Sequence, residues 1–249
     1  FFFFDVEKKY ILSFLGVIPC IDLYINGEFA GYSEGAHNTA EFDISSYLKS
    51  GENELVAVVH KWCTGTYLEC QDMFRENGIF RDVLLYQLPH VHINDFRLKT
   101  EKTKNGWSLD VLIELEGKLG LNEYELALSL VDRHTGKEIA GQTLPAANTT
   151  ATVLQSLNVS EWSAEIPVVY DFFITLLHNG NEVETLRNIT GFKQIKIIKD
   201  VFTFNDTKIK VKGVNHHDTH PVTGYVMSFA DLEKDIKLMK SLNVNGVRT

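Results

Sequence analysis

Residues 209–249 read IKVKGVNHHDTHPVTGYVMSFADLEKDIKLMKSLNVNGVRT, and this stretch decides the architecture. Residues 209–213 form a short strand, a His-rich loop follows, and residues 228–242 carry helical periodicity. Leu232, Ile236, Met239 and Leu242 stand at i, i+4, i+7 and i+10, which is one apolar stripe of a helix. Ser228 is placed to be its N-cap, where a hydroxyl accepts from an unpaired amide of the first turn. Residues 244–247 read as a second buried strand. A strand, loop, helix and strand in that order are out of place at the end of an all-β chain, because their apolar faces need a larger α/β layer to cover them. The segment is therefore read as the first βαβ unit of a (β/α)8 TIM barrel that continues past Thr249.

Upstream the pattern changes to period two. Between residues 90 and 195, strands are expected at 91–99, 107–115, 124–132, 151–157, 170–177 and 182–192, a spacing that fits an immunoglobulin-like β-sandwich. Pro89 cannot donate to a strand ladder and marks the boundary. Residues 1–89 are again short strands divided by turns. Residues 22–25 alternate polar and apolar, Asn26-Gly27 supplies a hairpin turn, and residues 29–32, 42–48 and 54–61 follow as further strands. The fold class expected is mainly β: an incomplete jelly-roll sandwich (1–89), an immunoglobulin-like sandwich (90–195) and the start of a TIM barrel (196–249).

Composition bounds the partners. A formal net charge of -9 without a dense Lys/Arg run argues against nucleic acid. No apolar run approaches the roughly 20 residues that cross a bilayer, so no membrane association is expected. Cys20, Cys63 and Cys70 are odd in number and lack metal-ligand spacing, which points to a reducing, cytoplasmic setting. The N-x-[ST] sequons at Asn148, Asn158, Asn188 and Asn205 come without a signal peptide and read as chance occurrences. A chain that opens on Phe1 to Phe4 without a methionine is expected to be a piece of a longer protein.

Two loops concentrate chemistry, residues 67–83 and 213–221. In the first, Asp72 stands among Gln71, Arg75 and Arg81. Loop carboxylates beside arginines are commonly exposed ion pairs of little energetic worth. A carboxylate aimed into a cleft can instead accept sugar hydroxyls and serve a hard cation, since both want oxygen acceptors. In the second loop, His216, His217, Asp218 and His220 follow a strand, where barrel active sites are assembled. Ligand contact, a structural loop and metal binding all remain open there. Adjacent strand residues point to opposite faces, so His216 and His217 are poor joint ligands. Arg248 ends the second strand, where its fork of donors could bind sugar oxygens, orient carboxylates or buttress the barrel. Trp62 and Trp162 are read as packing residues rather than sugar platforms. Asp218 alone cannot perform both carboxylate roles of glycoside hydrolysis.

These motifs closely resemble those of family 2 β-galactosidases. Glu41-Phe42-Asp43-Ile44, Gly51-Glu52-Asn53, Tyr67-Leu68-Glu69, Gln71-Asp72-Met73 and Gly78-Ile79-Phe80-Arg81-Asp82-Val83 resemble that family's sugar-binding jelly roll. Trp162-Ser163-Ala164-Glu165, Pro167, Tyr170 and Gly191-Phe192-Lys193 resemble its immunoglobulin-like domain. Gly213 to Asp218, His220-Pro221, Asp235, Leu238-Met239-Lys240, Asn243, Asn245 and Val247-Arg248 resemble the start of its barrel. The resemblance implies that Asp72 contacts galactosyl hydroxyls and a sodium ion, that His217 binds the galactosyl ring, and that Arg248 lies near the same site. It further implies a β-galactoside substrate, a homo-oligomeric parent and a retaining mechanism. Both catalytic glutamates and most magnesium ligands are expected beyond Thr249. His216, Cys70 and Lys193 depart from the family pattern, in which an arginine, an acidic residue and an arginine are usual. The rival readings are a non-catalytic carbohydrate-binding module and a family 2 β-glucuronidase or β-mannosidase.

Overall fold

In a computed structural model, which describes residues 5, 7–35, 38–69, 74–118, 120 and 123–249, Asn26 and Gly27 take φ of 53° and 83°. That left-handed pair closes a two-residue hairpin between Cys20–Ile25 and Glu28–Glu34. The Asn26 side chain adds long-range bonds, donating to Tyr47 O and Asn53 Oδ1 (both 2.8 Å) and accepting from Glu54 N (3.0 Å).

Two compact units divide the chain, one of Phe1–Leu88 with Val211–Thr249 and the other of Pro89–Lys210. The first contains two three-stranded antiparallel sheets. In one, Lys9–Phe14 lies between Ala40–Asp43 and Val83–Leu88; in the other, Cys20–Ile25 lies between Glu28–Glu34 and Leu55–His60. Alternate side chains of the two central strands, Tyr10, Leu12 and Phe14 against Ile21, Leu23 and Ile25, form one buried cluster with Phe42 and Ile44. The strand expected over 42–48 is shorter. Asp43 Oδ1 accepts from Ser45 N (3.0 Å) and Ser45 Oγ (2.6 Å), and this local turn diverts the chain into a 3₁₀ segment, Ser45–Tyr47.

The second unit is a seven-stranded sandwich. Gly106–Glu116 is flanked by His92–Thr103 and Thr149–Leu157, and the other sheet runs in the order Glu138–Pro145, Tyr124–Asp132, Tyr170–His178, Asn181–Thr190. Leu109, Val111 and Ile113 interdigitate with Leu126, Leu128, Leu130, Phe172 and Ile174 in its core. The Tyr170 hydroxyl accepts from Ser160 N at 2.8 Å and fixes the corner before its strand. Glu138–Pro145 is a strand that the sequence pattern leaves out. It is an edge strand with Gly141 at its middle, paired among the described residues to Tyr124–Asp132. A small sheet follows, of Ile195–Ile198, Val201–Phe204 and Thr207–Lys208, and its second hairpin turns at Asn205-Asp206.

The βαβ unit forms, with displaced boundaries. Its parallel strands are Gly213–Asn215 and Gly246–Arg248, not 209–213 and 244–247. Lys212 N donates to Asn245 Oδ1 (2.7 Å), so a side chain takes the place of a ladder bond just before pairing begins. The helix Phe229–Ser241 starts in a reciprocal capping box: Ser228 Oγ accepts from Asp231 N (3.2 Å), and the Asp231 carboxylate accepts from Ser228 N (3.1 Å). The apolar stripe is uncovered, with Leu232 and Met239 half-buried, Ile236 exposed and Leu242 69% exposed.

The cap carries a test. Ser228→Ala is expected to cost about 1 kcal/mol in urea unfolding of the 249-residue chain. The Ser228 hydroxyl bonded to Asp231 holds its carboxyl below the usual 3.8. Because the folded pKa is the depressed one, its contribution is present above the ordinary value and is lost as pH falls through the folded value. Amide exchange of the first helical turn should therefore accelerate below about pH 4 in the parent and show no such step in Asp231→Asn.

Candidate functional site

The loop after Gly213–Asn215 begins where the parallel pair ends. Asn215 stands opposite Arg248, and His216 N donates to Arg248 O at 2.9 Å. His216 turns inward, with Nε2 at 3.6 Å from Asp218 Oδ1 and 3.5 Å from Asp235 Oδ2, linking loop to helix. His217 is exposed, its carbonyl accepting from Thr219 N (2.8 Å). His220 Nδ1 accepts from Val222 N (3.2 Å) and Thr223 N (3.3 Å), which places the proton of the neutral ring on Nε2. The His-rich run thus has three jobs: His216 ties the loop to the helix, His217 is displayed, and His220 builds the next turn.

That turn is held from the first sandwich. Gly224 has φ of 63° and lies directly under the Glu76 carboxylate, so that a Cβ there would collide with it. Glu76 Oε2 accepts from Tyr225 N (3.2 Å), and the Tyr225 hydroxyl donates to Phe74 O. The Phe80 ring packs 5.7 Å from the Tyr225 ring, with the Arg81 guanidinium 5.4 Å above Phe80. Phe80 is itself fixed: its N–H donates to Gly16 O (3.1 Å), and its ring occupies the space a Cβ on Gly16 would fill. Between the two loops is a cleft of ≈ 330 Å³, lined by Phe80, Arg81, Asp82, Asp218, Tyr225 and Leu232 among others.

His217 and Arg248 therefore lie at the carboxyl end of one strand pair, and Asp218 faces the adjoining cleft. Asp72, together with Cys70, Gln71 and Met73, lies outside the described residues. Phe74, two residues further on, is bound to Tyr225. Among the described residues no group of three His, Cys, Asp or Glu side chains could hold a metal ion. Trp162 packs, as expected, against Phe204 (5.7 Å) and beneath Lys193 (5.0 Å). Trp62 is 56% exposed and stacked on Tyr67 at 6.4 Å. Sequence reasoning passed over Glu76, an acid within the loop 67–83, and Tyr225, an aromatic four residues past the loop 213–221.

Two β-sandwiches are followed by the strand, helix and parallel strand that open a (β/α)8 barrel. The chain belongs to glycosyl hydrolase family 2. Residues 4–89 match the family's sugar-binding domain, 91–193 the family's central model and 195–249 its TIM barrel domain. It is 38% identical over 245 residues to a β-galactosidase of Actinobacillus pleuropneumoniae, covering 98% of this chain and 23% of that protein. It is 36% identical over 248 residues to a β-galactosidase of Staphylococcus xylosus, covering 99% and 24%. The chain thus spans about a quarter of the length of these curated relatives. Among solved structures, a family 2 member from Bacteroides cellulosilyticus superposes with a TM-score of 0.85 at 20% identity, covering 99% of this chain and 35% of that one. A β-glucuronidase from Bacteroides uniformis gives 0.81 at 22%, covering 98% and 31%. At these identities the likeness is one of fold. No helix is long and apolar enough to cross a membrane among the described residues.

Proposed function

We propose that this chain is part of a retaining β-galactosidase that removes terminal β-galactosyl residues from substrates such as lactose. The observation that carries the reading is the seating of residues 74–82 of the first sandwich on the loop after the first barrel strand, through Glu76, Phe80 and Tyr225. Such a junction brings a sandwich loop to the strand end where barrel enzymes bind substrate. Similarity to β-galactosidases over nearly the whole chain supports the choice of sugar.

In this reading Asp72 accepts hydrogen bonds from galactosyl hydroxyls and serves a sodium ion, His217 contacts the ring, and Arg248 orients charged or hydroxylic oxygens beside it. Each role is the chemistry of its group: an acceptor-only carboxylate, an exposed imidazole and a fixed fork of donors. Hydrolysis with retention needs an acid/base carboxyl and a nucleophilic carboxylate about 5 Å apart. We assign both, with most of the magnesium ligands, to glutamates and other groups of later barrel strands. The apolar stripe of the helix, on which Ile236 is 48% and Leu242 69% exposed, supports further barrel elements packing there. The parent is a cytoplasmic homo-oligomer in the same reading.

The test compares aryl β-glycosides. The isolated 249-residue chain should release no aglycone above blank, and the full-length enzyme should prefer galactoside over glucuronide and mannoside by roughly 10²-fold or more in kcat/KM. Turnover by the isolated chain that disappears on replacing one of its own carboxylates would refute the assignment of the glutamates. A glucuronide or mannoside preference would refute the sugar.

A further inference from the structure

The cleft between the two loops carries charged groups to which the proposed galactosyl contacts give no role. Neither His217 nor Arg248 is among its described lining residues. One wall is residues 80–82, pinned to the chain just after Lys9–Phe14. Leu15 N donates to Asp82 O (3.0 Å) and Phe80 N to Gly16 O (3.1 Å), one bond on each side of Arg81. The facing wall is the turn at Tyr225 that Glu76 holds, and Leu232 joins it from the capped helix. The Phe80 and Tyr225 rings, 5.7 Å apart, give the lining an apolar surface to which Leu15 and Leu232 add. Three charged side chains share it: Arg81, Asp82 and Asp218. Arg81 stands over the Phe80 ring, and among the described residues neither it nor Asp82 enters an ion pair. Asp218, whose side chain is 45% exposed, has His216 Nε2 at 3.6 Å as its one charged partner among those residues.

We propose that this cleft binds one neutral pyranose ring. Carboxylates accept from hydroxyl groups and a guanidinium donates to their oxygens, so Asp82, Asp218 and Arg81 serve a polyol in both of its roles. The aromatic rings offer an apolar contact to the C–H face of the sugar. An anion would meet two carboxylates against one guanidinium. A wholly apolar ligand would enclose charges without partners, which costs more than its contacts return. Pockets for small ligands begin at about 300 Å³, so a cleft of ≈ 330 Å³ takes a single ring rather than an oligosaccharide. Both walls are fixed by their own hydrogen bonds, so little ordering opposes association. The inference goes beyond the galactosidase reading and stands on other residues.

The experiment follows the amide proton–nitrogen spectrum of the 249-residue chain during titration with methyl β-D-galactopyranoside and, separately, methyl β-D-glucopyranoside. These probes differ only at the C4 hydroxyl, so the outcome does not turn on the galactoside preference proposed for the parent enzyme. Both should shift the amides of residues 80–82 and 225–227 to saturation. Arg81→Ala and Asp82→Ala should each weaken that binding by roughly tenfold, the worth of one hydrogen bond to a charged group. Asp82→Asn, which keeps the shape of the wall, should weaken it less, and His217→Ala and Arg248→Ala should leave it unchanged. Lactose should bind no more tightly than the methyl glycosides. The proposal is overturned if neither sugar shifts those amides, or if the shifts survive Arg81→Ala and Asp82→Ala and vanish in His217→Ala. Saturation of the same amides by methylammonium chloride, without a response to either sugar, would overturn it as well, since the cleft would then be a cation site.

Discussion

Asp72→Ala, introduced into a full-length β-galactosidase carrying this segment, is expected to lower kcat/KM for an aryl β-galactoside by roughly 10²–10³-fold. The magnitude follows from what a carboxylate does for a bound sugar. A hydrogen bond to a charged acceptor contributes about 1.5–3 kcal/mol, and each ~1.4 kcal/mol is a factor of ten. Removing the acceptor also leaves the sugar's hydroxyl donors enclosed without partners, a cost that a site built for hydroxyl recognition exacts. Asp72→Asn keeps the shape and one carbonyl acceptor, and should fall between the parent and the alanine variant. If the same group serves sodium, replacing sodium by potassium should change the parent's rate and leave the Asp72→Ala rate unchanged. Values for Asp72→Ala within about threefold of the parent would remove this residue from the binding site.

How much of this was readable in the sequence depends on whether the decisive contact was local. Asn26-Gly27 announced its hairpin because two adjacent residues must both accept positive φ. Ser228 announced the helix start for a similar reason, its partner Asp231 being only three residues away. The buried alternation of Leu109, Val111 and Ile113 was equally legible, because period two is a property of the strand itself. Glu138–Pro145 was not, since an edge strand needs few apolar positions and its evidence lies in pairing with Tyr124–Asp132. That His216 and His217 part company was legible from their adjacency, but the partner of His216 was not, since Asp235 stands 19 residues on, in the helix. The clamp of Glu76 on Tyr225 joins residues 149 positions apart, and no spacing rule reaches that far.

That clamp yields the second large effect. Tyr225 is 9% exposed, packs on Phe80 and donates to Phe74 O, so it ties residues 74–80 of the first sandwich to the barrel start. Tyr225→Ala removes a buried aromatic ring, for which about 3–5 kcal/mol is usual, and should lower the urea midpoint of the unit that contains it. Tyr225→Phe keeps the ring against Phe80 and loses only the bond to Phe74 O, a change of about 1 kcal/mol. The two variants separate packing from hydrogen bonding. They should also separate at residues 74–82, where amide exchange should accelerate strongly in Tyr225→Ala and only slightly in Tyr225→Phe. In a full-length enzyme Tyr225→Ala should lose kcat/KM without touching the sugar, because the loop that follows Asp72 is no longer held to the barrel; Tyr225→Phe should stay close to the parent. If exchange across 74–82 is unchanged in Tyr225→Ala, the loop is fixed by bonds that the variant keeps, such as the ladder of Gly78–Ile79 to Val17–Ile18 and Phe80 N to Gly16 O, and Tyr225 is only a core residue.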